Sequence, residues 1–232
     1  IWAADASTAV IAGGGVPMVR TTNGGATWTP ISVGGNKFAS LAASPGARLI
    51  AVGNESIALS SDGGATWASG MATPVTTANL TTIAAGSPAQ VWAADSTGAI
   101  LSTTTSGKNW AVLVPSGGTP TPYFGSAATD ATHAWFAGYG GKIVGTTDGS
   151  TFTTQLASAP GTFLALSAVS VSGTPNAWAV GKGGVIYHTA DGATWTAPKA
   201  LNMNATTDSG TDRYPEIVTD GAGHWVTVWE SS

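Results

Sequence analysis

Thr21-Thr-Asn-Gly-Gly-Ala-Thr-Trp28 returns as Ser60-Ser-Asp-Gly-Gly-Ala-Thr-Trp67. Weaker copies end at Trp110 (Thr103-Thr-Thr-Ser-Gly-Lys-Asn-Trp), at Phe152 (Thr146-Thr-Asp-Gly-Ser-Thr-Phe) and at Trp195 (Thr189-Ala-Asp-Gly-Ala-Thr-Trp). The terminal aromatics are 39, 43, 42 and 43 residues apart. Five boxes at so even a period mark an internal repeat.

The surroundings of each box repeat as well. Met18, Ile57, Ile100, Ile143 and Ile186 precede the boxes by three residues. Further upstream come Gly13, Gly53, Asp95, Gly138 and Gly181, and three residues before those Val10, Ile50, Trp92, Trp135 and Trp178. Short apolar runs between Gly, Asp and Asn turns read as strands joined by hairpins. Each unit then holds four strands, in the third unit near Leu80–Ala84, Val91–Ala94, Ala99–Thr103 and Asn109–Val114. Four strands at a period near 42 indicate an all-β fold, a β-propeller of four-stranded antiparallel blades.

Composition agrees with packed sheets. Charged residues are 9% of the 232, against about 25% in an average domain, and Gly numbers 32. Small apolar side chains suit strands covered on both faces, which do not alternate strictly. An apolar fraction of 43% and a net charge of −4 argue against disorder. Nothing approaches 18 consecutive apolar residues, so no membrane span is expected. The scattered Lys and Arg make nucleic acid an unsuitable partner. Cysteine is absent, which removes disulfides and thiolate metal sites. No cofactor is expected.

The box has a mechanical reading. An Asp or Asn side chain accepts backbone N–H groups of the turn that follows. Glycine supplies the positive φ, and the closing aromatic packs on the hairpin. Asn23, Asp62, Asp148 and Asp191, with Trp28, Trp67, Trp110, Phe152 and Trp195, are therefore assigned structural roles. Thr105 replaces the acid in the third box, and the fourth and fifth are one residue shorter, so these three should be looser copies. Calcium is the rival reading for the box acids, but one Asp per turn lacks the six to eight oxygens that calcium takes.

The pattern Ser/Thr-x-Asp-x-Gly-x-Thr-Trp resembles the Asp-box, or BNR repeat, of sialidase-like propellers. Gly138-Tyr-Gly-Gly-Lys-Ile143 and Gly181-Lys-Gly-Gly-Val-Ile186 resemble the photosystem II assembly-factor-like members of that superfamily. From Asp191-Gly-Ala-Thr-Trp through Asp220-Gly-Ala-Gly-His-Trp to Ser231 the chain is more similar to sialidase-like repeats of secreted bacterial proteins. The resemblance implies an exported or cell-envelope location and a ligand site at one end of the propeller. It specifies fold better than function, since one fold hosts many activities.

Blades are expected at about 1–34, 35–74, 75–117, 118–158 and 159–204, with a partial sixth at 213–232 whose strands are Glu216–Thr219 and Trp225–Trp229. Five and a half blades do not close a ring neatly, so a single propeller belonging to a longer chain, and monomeric, is expected.

Antiparallel order puts the second-to-third and fourth-to-first connections at one end, which the resemblance makes the ligand end. Its polar residues are Lys37, Asn54, Glu55, Asp95, Tyr123, Tyr139, Lys142, Lys182, Asp212, Arg213 and Glu230. Glu55, Asp95, Tyr123, Tyr139, Lys182 and Arg213 are the candidates for holding a glycan or a protein ligand. The two tyrosines could stack on a sugar ring.

The resemblance implies, for a sialidase, an arginine triad, a Tyr–Glu nucleophile pair and an Asp acid/base. Arg20 directly precedes a box, where other blades have Leu59, Ser102, Gly145 and His188, and Arg48 sits at a first-to-second turn. Both belong to the opposite end, and Arg213 alone cannot form the clamp. Another glycosidase needs two suitably spaced carboxylates, for which Glu55, Asp95, Asp212 and Glu230 are eligible. His133, His188 and His224 lack zinc spacing, and no nucleophile-elbow or phosphate-loop motif occurs. The reading is a non-catalytic binding or scaffolding propeller, with a fragment of a sialidase-like glycoside hydrolase as the alternative.

Overall fold

The computed structural model describes residues 1–13, 17–34, 37–44, 48–54, 56–72, 76–196, 213–219 and 225–230. They form two compact units, Ile1–Pro122 and Tyr123–Ser232.

The first unit holds three four-stranded antiparallel meanders. The first comprises β1 (Trp2–Ala3), β2 (Ala9–Ile11), β3 (Met18–Thr21) and β4 (Thr29–Ile31). The second comprises β5 (Ser40–Ser44), β6 (Arg48–Gly53), β7 (Ser56–Ser60) and β8 (Ala68–Ala72). The third comprises β9 (Leu80–Ala85), β10 (Val91–Asp95), β11 (Ile100–Thr103) and β12 (Ala111–Val114). In the second unit a fourth meander runs through β13 (Tyr123–Ala128), β14 (Ala134–Gly138), β15 (Ile143–Thr146) and β16 (Thr153–Leu156). A fifth sheet holds β17 (Phe163–Val171), β18 (Thr174–Gly181) and β19 (Val185–Thr189), and a sixth pairs β20 (Arg213–Thr219) with β21 (Trp225–Glu230). These are the expected propeller blades, five and a partial sixth.

The boundaries differ most from the sequence reading in three places. β12 begins at Ala111, because the Asn109 N–H bonds the Thr105 hydroxyl inside the box at 2.9 Å. The fourth strand of the fifth blade is reduced, among the described residues, to a bridge between His188 and Thr196. β20 starts three residues early, at Arg213, which pairs with Glu230 across a register shift.

Within each unit the first strands of successive sheets lie side by side, β1 with β5 and β5 with β9, then β13 with β17 and β17 with β20. Cores form between sheets. Ile50, Val52 and Ile57 of the second pack on Leu80, Val91, Leu101 and Trp110 of the third. Trp135 and Ile143 of the fourth pack on Phe163, Ala177 and Trp195 of the fifth. β10 and β14 are buried along their whole length, which is why they read as unbroken small and apolar runs. Fourth strands such as β12 and β16 are half exposed. The repeated second-strand residues Val10, Ile50, Trp92 and Trp135 are buried. Trp178 is half-buried and stacks on His188 with centroids 4.1 Å apart.

The last residue of every third strand is the first of a box: Thr21, Ser60, Thr103, Thr146 and Thr189, each buried. Its hydroxyl accepts a glycine N–H two strands' ends across the turn, from Gly25, Gly64, Gly107 or Gly149 at 2.9–3.2 Å in the first four boxes. In four boxes it also donates to the Asx side chain two residues on, as Ser60 does to Asp62 at 2.8 Å. The Asx oxygen in turn accepts the N–H three or four residues downstream: Thr27, Thr66, Thr151 and Thr194. The expectation of looser copies is corrected. In the short boxes a single Asp oxygen takes two successive N–H groups, 2.8 and 2.6 Å at Asp148 and 2.9 and 2.7 Å at Asp191. Thr105 keeps the circuit with a hydroxyl, because its Oγ1 also accepts a backbone N–H.

The second, third and fifth boxes rest on the preceding sheet. A Cβ on Gly64 would meet Val10 at 2.6 Å, and one on Gly107 would meet Leu59 at 2.7 Å. The Gly192 carbonyl accepts from Trp135 Nε1 and from Gln155 Nε2, both at 3.0 Å, and Trp195 Nε1 donates to Gln155 Oε1 at 2.8 Å. Ser60→Ala should therefore lower stability by about 1–3 kcal/mol, since the buried Gly64 N–H loses its acceptor. Thr66→Val, at an exposed site, should cost less, and urea unfolding midpoints of the two variants compare them directly.

The box acids also titrate unusually. The Thr66 hydroxyl and N–H hold Asp62 down to about 2, from an ordinary value of 3.8. Backbone N–H groups, from Thr151 and Thr194 first, hold Asp148 and Asp191 lower still. A depressed folded-state value stabilises the fold above the unfolded value and ceases to do so as pH falls through the folded one. The urea midpoint should therefore drop between about pH 4 and pH 2. Asp148→Asn combined with Asp191→Asn should flatten that slope.

Candidate functional site

The second-to-third and fourth-to-first connections carry the sequence candidates. Tyr139 opens a 3-10 turn, Tyr139–Gly141, between β14 and β15 and is 60% exposed. Gly140 and Gly141 have φ of +67° and +70°, and Gly141 abuts the backbone of Ala159, where a Cβ does not fit. The tip is thereby held against the fourth-to-first connection, with Lys142 half-buried beside it. Lys182 is exposed in the matching hairpin of the next sheet, its N–H bonded to the Thr162 carbonyl at 3.0 Å. A cation and an aromatic thus stand at equivalent turns of neighbouring blades.

Two other candidates lie inside. Tyr123 is buried and tilts against Phe136, with centroids 5.9 Å apart, and burial raises the phenol above its ordinary value. Asp95 is 1% exposed. One of its oxygens accepts the Thr97 N–H, the Thr97 hydroxyl and the Ala99 N–H at 2.6–3.0 Å, and the other accepts the Thr76 hydroxyl at 2.8 Å. The alignment contained the signal. Asp95 occupies the position of Gly53 and Gly181, where a Cβ would meet the fourth-to-first connection at 2.6 and 2.3 Å. The third blade uses a carboxylate hydrogen-bonded to that connection where the second and fifth use contact.

Arg213 opens β20, and Glu55 and Asp212 lie outside the described residues. Arg20 ends in β3 next to the first box, and Arg48 opens β6 at a first-to-second turn. Asp5, Asp62, Asp95, Asp130, Asp148 and Asp191 each accept hydrogen bonds from their own turn. His133 meets Asp130 at 2.9 Å within such a turn. Burial lowers His188, which the Trp178 ring covers. Among the described residues no three His, Asp or Glu side chains gather where a metal could bind, and no helix is long and apolar enough to cross a membrane.

No family model and no curated sequence matches the chain. Solved structures do. YCF48 bound to a D1 peptide is 18% identical over 97% of this chain and 86% of that one, with a TM-score of 0.50. A catalytically inactive virginiamycin B lyase from Staphylococcus aureus, with quinupristin, is 14% identical over 98% and 78%, with a TM-score of 0.66. An ancestral GH74 enzyme is 13% identical over 98% of this chain and 37% of its own, with a TM-score of 0.64. At such identities the likeness is one of fold, and the fold is the β-propeller. Because Asp95 closes its hairpin, Asp95→Ala should lower the urea midpoint by an amount equivalent to about 1–3 kcal/mol.

Proposed function

We propose that the chain is a non-catalytic Asp-box propeller segment that binds or scaffolds a partner in an exported bacterial protein. The observation that carries this reading is the commitment of every described acidic side chain to its own turn. A general acid or base must reach the proton it moves, and a carboxylate closing a hairpin is already engaged. The loop end meanwhile offers exposed Tyr139 and Lys182 on turns held rigid by packed glycines. Tyr supplies broad contact area at low entropic cost, and Lys adds a cation that an acidic segment can meet.

A protein or peptide ligand is the favoured partner, with a glycan second. YCF48, a propeller of the same fold, is solved with a peptide bound. Pull-down and glycan-array screens with the folded chain test the reading. Tyr139→Ala and Lys182→Ala should each weaken the captured partner by about tenfold, the size of a modest interface contact. Turnover of sialosides or aryl glycosides by the chain would overturn the reading in favour of a glycoside hydrolase.

A further inference from the structure

The first unit carries a groove of about 430 Å³ that runs from its first two boxes along β4 to Ser32. Small-molecule sites are of this size. Its walls are β3 and β4 on one side and the second box on the other, with Arg20 and Trp67 among the lining residues. The Arg20 Nε donates to the Gly63 carbonyl at 3.2 Å, which fixes the plane of the guanidinium. Among the described residues Arg20 has no carboxylate partner. Its two terminal nitrogens remain as a fork suited to a planar or tetrahedral anion. Trp67 is equally fixed, its Nε1 donating to the Gly64 carbonyl at 3.1 Å. Thr22, Thr29 and Ser32 also line it.

The position of Arg20 faces the next box in other blades too. There Leu59 packs on the third box, and Gly145 leaves room for Gln155 and Trp135 to reach the fifth. A leucine or a glycine thus suffices to seat a box, so docking alone does not require a cation at this position. A peptide adding a strand to the sheet is disfavoured, because Pro30 removes an N–H from β4, the edge strand.

We propose that this groove binds an acidic saccharide, a pyranose carrying a carboxylate or a sulfate ester. The acid group sits on the Arg20 fork, the ring lies against Trp67, and ring hydroxyls meet Thr22, Thr29 and Ser32. The proposal does not depend on a partner at Tyr139 and Lys182.

Calorimetric titration of the full chain with an oligogalacturonate, a sulfated glycosaminoglycan hexasaccharide and neutral xylohexaose tests the assignment. At least one acidic oligosaccharide should bind, and the neutral one should not. The two acidic arms distinguish carboxylate from sulfate. Arg20→Gln should weaken binding by about tenfold or more, and Arg20→Lys, which keeps charge but loses the fork, by less. Lys108→Ala, which removes an exposed cation of the same unit outside the groove, should leave it unchanged. Binding of neither acidic ligand overturns the proposal, as does equal binding of xylohexaose or undiminished binding by folded Arg20→Gln. Should Arg20→Gln fail to fold, the wild-type chain still decides. Its Trp67 indole N–H resonance, identified by its loss in Trp67→Phe, must shift on titration, and an unmoved resonance refutes the site.

Discussion

A buried hydroxyl at the end of each third strand fixes the turn on which a blade's neighbour rests. It accepts two N–H groups of the turn in four copies, donates to the Asx side chain in most, and so sets the direction in which the turn leaves the sheet. The turn then presents a glycine, and in most copies that glycine is brought against the preceding blade. The interaction is local, but its effect is between sheets. Without it the turn would have a buried N–H to satisfy and no defined surface for the neighbour to meet.

Strand number, strand order and the identity of the buried positions were legible in the sequence because the repeat copies them. Met18, Ile57, Ile100, Ile143 and Ile186 align by eye, and all are buried. The box hydroxyl was in plain view as the opening Ser or Thr of every copy. It matters more to the turn than the acid does, since the third box retains the turn without an acid. The shorter boxes look degraded in sequence because each lacks one residue of the turn. The backbone compensates by bringing two adjacent N–H groups to one oxygen.

The loop end was less legible. Topology places a residue at an end but does not say whether its side chain faces solvent. Asp95 and Tyr123 belong to loop-end strands and point inward, and Tyr139 and Lys182 sit at tips and point out. The Asp95 alignment with glycines implied a crowded position, which favours an engaged side chain over a free one. Arg20 lies in β3 beside the first box, away from the hairpin tips that carry the sequence candidates. The groove beside it arises from the spacing of two boxes in neighbouring sheets, which no single repeat encodes.

The seating of a box on the preceding blade has a further consequence. The sheet and the cooperative element are out of phase. Sheet boundaries fall at the fourth-to-first connections, but the Trp135 and Gln155 bonds to Gly192 cross one of them. A cut made at a sheet boundary would leave one piece with an uncovered Trp and the other with an unsupported turn. A piece cut for grafting or permuting keeps this brace only if it holds Trp135, Gln155 and Gly192 together, so it must run from the second strand of one sheet through the box of the next.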